Sequence, residues 1–592
     1  IHEGLPEEDR ERLEKQWNRQ YNANVNADWG NLPVFIQGMR TWKDGKSFQL
    51  YRQQLKGASF LTQKGNGLLA YDVGVGKTAA GIVATVGQLQ TVRAQRPLVM
   101  VPLAVYSKWI HDFKELFPNI TINELGNFSE ENLRPYSDEN HGLTIPSGSI
   151  SVCTYQAQDK ISFEDYNCER GGALFNDFAA LLGKDDDNDA KTEQKIKDVL
   201  GSATKTKEGF VYFERTGFDH ITVDEAHNFK NLFTLPRPNK KDKNAPKRQA
   251  NEFNGIGAGS PSNRALKMFA MTQLVQEKNN NRNVFMLTAT PFSNNPLEVY
   301  SMLSYVGREA LRERHIYNLY DFCAQYADCR AEWAVTAKGK LEVKQVMKQF
   351  NDISSLQNLL KEYIDKVDAD EAHIERPNKE VHKAELEMTD VQAMIDAHER
   401  EAMTDAHAAE NGGVLVAMTR MQTAMLSPAL LDAADYPEIP NFPKPEEFVE
   451  SSPKLRFVCD AVIKTWKAKA ECGQVIYLPE GRDSIPYMID YLVKHGMDRN
   501  VIGTIKGGDS NEARDAVRDA FNDKGNPLKL VIGTKAMSEG IDLNGNSIAL
   551  YDTMPGWNPT DKVQTEGRIW RQGNEQKTVH IITPFITDSI DS

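Results

Sequence analysis

The chain has 592 residues, too many for one hydrophobic core, and three or four domains is the expectation from length alone. Its 40% apolar and 26% charged residues make an ordinary globular composition, and no run of about 18 apolar residues exists to span a bilayer. The net charge of −13 argues against indiscriminate coating of nucleic acid, though not against a local basic channel.

The opening "IHEGLPEEDRER" is acidic and lacks Met, so it reads neither as a signal peptide nor as a native start. A piece of something longer is expected, with residues 1–44 as an N-terminal extension. Cys153, Cys168, Cys323, Cys329, Cys459 and Cys472 form no CxxC pair, which predicts reduced, structural thiols in a cytoplasmic protein.

The first stretch that carries chemistry is "GLLAYDVGVGKTAAGIVATVGQL", Gly67 to Leu89. A short apolar strand, Leu68 to Ala70, runs into Gly74, Val75, Gly76, Lys77 and Thr78, and a helix follows. Strand, glycine loop and helix are the context of a phosphate-binding loop, where backbone N–H groups and a helix N-terminus converge on an anion. Lys77 would reach the β- and γ-phosphates of ATP, and the Thr78 hydroxyl would ligate Mg2+. Tyr71 stands where the strict pattern has its first glycine.

Further on, "LLGKDDDNDAKTEQKI" places Asp185, Asp187 and Asp189 like a calcium loop. Ala190 and Ile196 occupy the Gly and Glu positions such a loop needs, so a solvated loop is expected. "HITVDEAHNFKN" sets Asp224 and Glu225 directly after the apolar strand Ile221–Val223. Carboxylates at the tip of a buried parallel strand suit a nucleotide-bound Mg2+ (Asp224) and the polarising of an attacking water (Glu225). A helix N-cap accounts for the pair but not for its place after the glycine loop. "NVFMLTATP" is a third strand, ending in Thr288 and Thr290, small hydroxyls suited to a hinge that senses nucleotide state.

After a long charged stretch the alternation restarts. "QVIYLPE", "LKLVIGT", "SIALYD" and "TVHIIT" read as strands; "SIPYMIDYLVKHG" and "NEARDAVRDAFND" read as helices. This second α/β unit has no phosphate loop. It does have Arg568 and Arg571 three apart in "QTEGRIWRQGN", predicted to share one helix face. A lobe without a nucleotide loop but with two such arginines can supply transition-state charge to a nucleotide held by the other lobe.

Taken in order, these stretches resemble the motifs of a superfamily 2 helicase-type motor of the Swi/Snf-like branch, across residues 54 to 574. "RQQLKGASFL" resembles the adenine-reading glutamine motif with Gln54 in the glutamine place; "DVGVGKT" resembles motif I. "PLVMVPLAVYSKWIHDF", with Trp109, resembles motif Ia, and "SVCTYQ" motif Ib. "DEAHNFKN" is similar to motif II of this branch, including Lys230 and Asn231, and "LTATPFSN" to motif III. "VIGTKAMSEGIDL" resembles motif V, with Met537, Ser538 and Glu539 where chromatin remodellers carry paired glycines. "WNPTDKVQTEGRIWRQGN" resembles motif VI. A narrower resemblance, on "EGRIWRQGN", "GSPSNRALKMF" and "WNRQYN", is to phage- and plasmid-borne proteins that fuse such a motor to an adenine-specific DNA methyltransferase. No N/D-P-P-Y tetrapeptide occurs, so that half would lie outside this chain.

The resemblance implies two RecA-like lobes, parallel sheets covered by helices. The first is expected at 45–305, with an insertion at about 156–216, and the second at 451–592. Residues 306–450 are expected to be mainly helical accessory material. It implies Gly540 beside the nucleotide, and His227, Thr288, Thr290 and Gln564 in coupling. It also implies a backbone-gripping groove for double-stranded DNA, with Ser107, Lys108, Thr154, Lys506, Gly507, Thr534 and Lys535 as candidate contacts. The basic "RPNKKDKNAPKR" is a solvated or a DNA-contacting loop, while Trp109, Trp557 and Trp570 are expected to pack rather than stack on bases. ATP-driven translocation along DNA in phage or plasmid DNA protection is the expected function. A methyltransferase and phage virion proteins are candidate partners, in the host cytoplasm or the virion. The rivals are a strand-separating helicase, the motor of a restriction or defence system, and a nucleotide-gated virion protein that scarcely turns over.

Overall fold

A computed structural model describes residues 29–34, 36–43, 45–137, 143–169, 172–181, 198–200, 211–232, 261–292, 295, 297–335, 341–404, 413–537, 541–554 and 559–591. The acidic loop at 185–196, the basic loop at 237–248, Ser538 to Gly540, Asn294, Trp557 and Asn558 lie outside these residues.

Two compact α/β units emerge. The first comprises residues up to 332 together with 343–372, and the second comprises 333–342 together with 373–592. The first unit is built on seven strands: β1 (Asn66–Tyr71), β2 (Pro97–Val101), β3 (Thr121–Gly126), β4 (Ser149–Thr154), β5 (His220–Val223), β6 (Val284–Thr288) and β7 (Ile364–Val367). Their order across the sheet is β7-β1-β6-β5-β2-β4-β3, and every pairing is parallel. β1, β2 and β5 are buried along their whole length. That is why they read as continuous Leu/Val/Ile runs rather than as alternating ones: helices cover a parallel sheet. The helices include α1 (Arg52–Lys64), α2 (Lys77–Gln90), α3 (Tyr106–Leu116), α4 (Asn263–Lys278), α5 (Glu298–Val306) and α6 (Ile353–Tyr363). α2 lies unusually close to the sheet, because a Cβ on Gly81 would come within 2.5 Å of Leu287.

The second unit has α7 (Asp390–Thr404), α8 (Gly413–Leu426), α9 (Pro453–Ala468), α10 (Ile485–Lys494), α11 (Asn511–Asn522) and α12 (Pro559–Glu566). Its strands are β8 (Asn378–Leu386), β9 (Gly473–Tyr477), β10 (Ile502–Ile505), β11 (Leu530–Gly533), β12 (Ser547–Asp552) and β13 (Thr578–Ile586). The sheet runs β8-β13-β12-β9-β11-β10, again parallel throughout. Both units are RecA-like lobes, as the resemblance implied.

The segment 306–450 departs from its helical expectation in detail. Besides helices it supplies an edge strand to each sheet, β7 to the first and β8 to the second. The chain passes between units at 332/333, 342/343 and 372/373. β8 escaped notice because "NKEVHKAEL" has almost no apolar content; it is a strand through its nine-residue ladder with β13, not through burial. All six cysteines are free thiols, and all but Cys329 are buried.

Candidate active site

In the first unit the chemistry-bearing residues gather where parallel α/β sheets build sites, at the carboxyl ends of neighbouring strands. The loop after β1 turns through Gly74 at φ 91° and Gly76 at φ 96°, left-handed conformations that glycine alone adopts without penalty. Gly76 caps α2, which begins at Lys77. A Cβ there would stand 2.1 Å from the Gln54 side-chain nitrogen, so the glutamine of α1 rests directly on the loop. Gln54 is itself buried, and its carbonyl oxygen accepts from the Tyr51 N–H at 2.9 Å. The loop is tied from the other side by β7. The Asp72 N–H donates to the Val367 carbonyl at 3.1 Å, and the Asp72 carboxylate accepts from the Ala369 N–H at 3.2 Å.

Across from the loop, β5 delivers Asp224 and Glu225. Asp224 is 3% exposed and its carboxylate is held on both oxygens. Oδ2 accepts from the Trp109 indole at 2.8 Å, and Oδ1 accepts from the Glu225 N–H at 3.0 Å. The Asp224 carbonyl accepts from the Tyr155 hydroxyl, while its N–H donates to Met100 at 3.0 Å. Trp109 is thus packed in the core, as expected, yet also orients a carboxylate from 115 residues upstream. That second role was not legible, since nothing in the spacing links the two.

Glu225 sits at φ 48°, ψ 50°, a left-handed conformation rare for a residue with a side chain. The turn aims its carboxylate at Lys77 Nζ, 3.0 Å away, and at His227 Nδ1, 3.4 Å away. His227 also contacts the Thr288 hydroxyl at 3.1 Å, and that hydroxyl accepts from the Thr290 N–H at 3.1 Å. A chain of contacts therefore runs Lys77–Glu225–His227–Thr288–Thr290, joining the loops after β1, β5 and β6. Thr78 is half-buried at the start of α2. Lys230 faces the buried Glu298 carboxylate at 3.4 Å, so the trailing lysine of "DEAHNFKN" anchors α5.

Electrostatics separate the two carboxyls. Burial, then the Glu225 charge, push Asp224 up to about 6, with Lys77 and the Trp109 N–H opposing them. At Glu225 burial also acts upward, but Lys77 and His227 together outweigh it and hold the group below the usual carboxylate range.

The residues fit ATP with Mg2+ on structural grounds. The loop turns through two positive-φ glycines, at Gly76 a Cβ would fill the space against Gln54, and the buried Thr290 hydroxyl has no hydrogen-bond partner of its own. Lys77, Thr78 and Asp224 are the right donor set for phosphate oxygens and a hard cation.

In the second unit the arginines depart from expectation. α12 ends at Glu566, so Arg568 and Arg571 lie in the turns beyond it, not on one helix face. The turn closes through Arg568 N–H to Thr565 and Trp570 N–H to Glu566 at 3.1 and 2.9 Å, which carries the fully buried Ile569 into the core. The two side chains converge all the same, on Asp542: Arg571 pairs with it directly and Arg568 at 3.6 Å. Arg568 is 7% exposed and also donates to the carbonyls of Gln564 and Ile541, at 3.1 and 3.3 Å. Gln564 thus serves Arg568 through its backbone. Trp570 packs as expected, beneath Arg376 and Lys379, whose charges lie 4.7 and 4.1 Å from its ring centre.

The candidate nucleic-acid residues are uneven. Ser107 and Lys108 are exposed at the start of α3. Thr154 is buried and its hydroxyl donates to the Gly126 carbonyl at 3.4 Å, so its side chain offers no contact; closure of the β3–β4 edge claims it. Lys506, Gly507, Thr534 and Lys535 do cluster, at the carboxyl ends of β10 and β11. There the Gly507 N–H donates to the Thr534 hydroxyl at 3.2 Å, and Lys535 is exposed.

Comparison with known proteins agrees with this arrangement. The family described as "Probable helicase domain" matches residues 174–367, and "Helicase conserved C-terminal domain" matches 453–573. Both are helicase families, and the chain is a helicase-type ATPase whose motifs resemble those of the Swi/Snf-like branch of superfamily 2. It is similar to the Defense against restriction protein B of Escherichia phage P1, 23% identical over 450 residues, covering 68% of this chain and 19% of that protein. The DNA excision repair protein CSB of Oryza sativa subsp. japonica is 20% identical over 539 residues, 89% of this chain and 38% of that protein. RAD54B of Gallus gallus, a DNA repair and recombination protein, is 36% identical over 80 residues, 13% of this chain and 8% of that protein. The chain therefore spans about a fifth of the phage relative and under two-fifths of the plant one. Among solved structures, the Sulfolobus solfataricus SWI2/SNF2 ATPase core in complex with dsDNA aligns over 94% of this chain and 91% of that chain, with a TM-score of 0.33 and 16% identity. Among the described residues no helix is long and apolar enough to cross a membrane.

Proposed function

We propose that this chain hydrolyses ATP to drive movement along double-stranded DNA, without strand separation, in a phage or plasmid system that protects or processes DNA. The observation that carries the ATPase half is the Lys77–Glu225–His227–Thr288 chain, with Asp224 held separately by Trp109. Mg2+ supplies charge neutralisation on the phosphates when bound with ATP. The Gly74–Thr78 backbone and the Lys77 ammonium would take the phosphates, and Thr78 and Asp224 would hold the cation.

In this structure Lys77 and Glu225 neutralise each other. A phosphate chain would compete for Lys77, and a Glu225 carboxylate released from it would accept a proton from the water whose oxygen bonds the γ-phosphorus as the bond to the departing ADP oxygen breaks. His227 stays between that carboxylate and Thr288, so the change at Glu225 reaches the strand end that carries Thr290. Arg568 and Arg571 are the proposed source of transition-state charge, with the Gln564 carbonyl on α12 holding Arg568.

The DNA half rests on the Swi/Snf-like "DEAHNFKN" and on relatives named for DNA repair; the protective role rests on the phage relative. A methyltransferase beyond these residues and virion proteins are the partners that role would bring, in the host cell. Steady-state ATPase with no nucleic acid, single-stranded DNA, double-stranded DNA and double-stranded RNA tests the reading. Stimulation chiefly by double-stranded DNA, lost in Glu225→Gln and Arg571→Ala, is expected, with no product in a duplex-unwinding assay. Equal rates on all tracks would remove DNA from the proposal, and strand separation would favour the helicase rival.

A further inference from the structure

In the second unit, the β8–β13 edge of the sheet brings together Glu380, His382 and His580. Glu380 and His580 are in register across the parallel pair, and His382 is two residues along β8 on the same face. Three atoms point at one another: Glu380 Oε2, His382 Nε2 and His580 Nδ1. Their separations are 3.0 Å between the two imidazole nitrogens, 3.3 Å from the carboxylate to His580 and 3.6 Å to His382.

These lengths have a specific meaning. A charge-assisted hydrogen bond between imidazolium and carboxylate closes to about 2.7–2.9 Å, so both carboxylate contacts are long for that purpose. Three ligands around a tetrahedral ion at about 2.0–2.1 Å stand roughly 3.3–3.4 Å apart. The observed triangle brackets that value, whereas octahedral ligands at the same bond length would stand about 3.0 Å apart.

We propose that Glu380, His382 and His580 bind a divalent transition ion of the Zn2+ class, with a water in the fourth position, and that the ion staples β8 to β13. Two His and one carboxylate are a donor set that borderline ions such as Zn2+ take and that Mg2+ and Ca2+ do not. All three side chains reach solvent, so the ion has an entry path.

The location gives the staple a purpose. β8 is the first strand in chain order of the second unit's six-stranded sheet, yet only Ala384 and Leu386 along it are even half-buried. Its other face is held at Lys379, which pairs with the buried Glu566 at 2.7 Å. An ion at Glu380, His382 and His580 clamps the opposite face of the same strand, fixing the connecting segment to the lobe that bears the arginines.

The test uses the full chain, untagged and stripped of metal, titrated with Co2+ and then Zn2+. The expected result is one equivalent of Co2+ with the visible bands of a tetrahedral site, displaced by Zn2+. Zn2+ at about a hundred times Kd should raise Tm by about 5–10 °C and slow hydrogen exchange in β8. His382→Ala and His580→Ala should abolish the bands without lowering the metal-free Tm, and Glu380→Gln should weaken them. Octahedral, non-stoichiometric Co2+ binding, or bands that survive both histidine variants, would overturn the proposal.

Discussion

Trp109→Phe isolates one hydrogen bond at the candidate site. The indole N–H reaches Asp224 Oδ2 at 2.8 Å in a buried setting, and it is one of the influences that hold Asp224 down against burial and the Glu225 charge. A hydrogen bond to a charged acceptor contributes about 1.5–3 kcal/mol. At 1.36 kcal/mol per unit, that is about 1–2 pKa units. Without the bond Asp224 should therefore rise further above the usual carboxylate range. The acid limb of the kcat/KM profile for ATP hydrolysis reports the free protein, and here it belongs to the Asp224–Glu225 pair. That limb should move up by about 1–2 units, so the variant is slow near neutral pH and recovers in mild alkali. Phe113→Leu is the packing control, since Phe113 lies against the same indole with ring centres 5.8 Å apart but donates no hydrogen bond. A limb that stays in place, or a loss equal at every pH, would refute the assignment of Trp109 to the carboxylate.

Gly76→Ala should impair ATP-analogue binding by calorimetry, because a Cβ would stand 2.1 Å from Gln54 on a backbone at φ 96°, strain of about 1–2 kcal/mol before any clash; unchanged affinity would remove Gln54 and Gly76 from the site. Asp542→Asn takes the charge partner from Arg571 and the buried Arg568, and should lower stability by about 1.5–3 kcal/mol in denaturant melts while reducing ATPase activity in parallel with Arg571→Ala. Asp552, 3% exposed, is raised to about 6 by burial; its contribution to stability is whole below its unfolded value and is lost as pH rises through about 6. Asp552→Asn should thus raise Tm in mild alkali and change it little near pH ~4, and an equal shift at both would refute the burial argument.

What the sequence disclosed divides along physical lines. Buried parallel strands such as "PLVMV" and "SIALYD" announce themselves because both faces are covered and the run between their ends is apolar. The glycine loop and "DEAH" are legible because phosphate and cation chemistry demands particular residues at fixed positions. β7, with "IDKV", and β8, with "NKEVHKAEL", are edge strands whose cause is a backbone ladder to a partner about 200–300 residues away in sequence; no local pattern encodes that. The same holds for side-chain partners. Arg568 and Arg571 were recognisable as a pair, but Asp542, which joins them, lies across a loop, and the three-residue spacing suggested a helix that ends at Glu566.

Those arginines also show why the second lobe's edge matters. Trp570 stands between them in "RIWR", and its indole N–H donates to the Pro377 carbonyl at 2.9 Å. Arg376 and Lys379 lie over its ring, in contacts each worth about 0.5–1 kcal/mol where partly exposed. Lys379 further reaches Glu566, the last residue of α12. The stretch from 373 to 379, where the chain re-enters this unit, is therefore fastened to the turn that carries Arg568 and Arg571. Displacing that stretch strains the Trp570 turn first, because Ile569 and Arg568 on its other side are buried and cannot follow freely. The connecting segment and the arginine turn are thus joined by the Trp570 indole, the two cations over its ring and the Lys379–Glu566 pair.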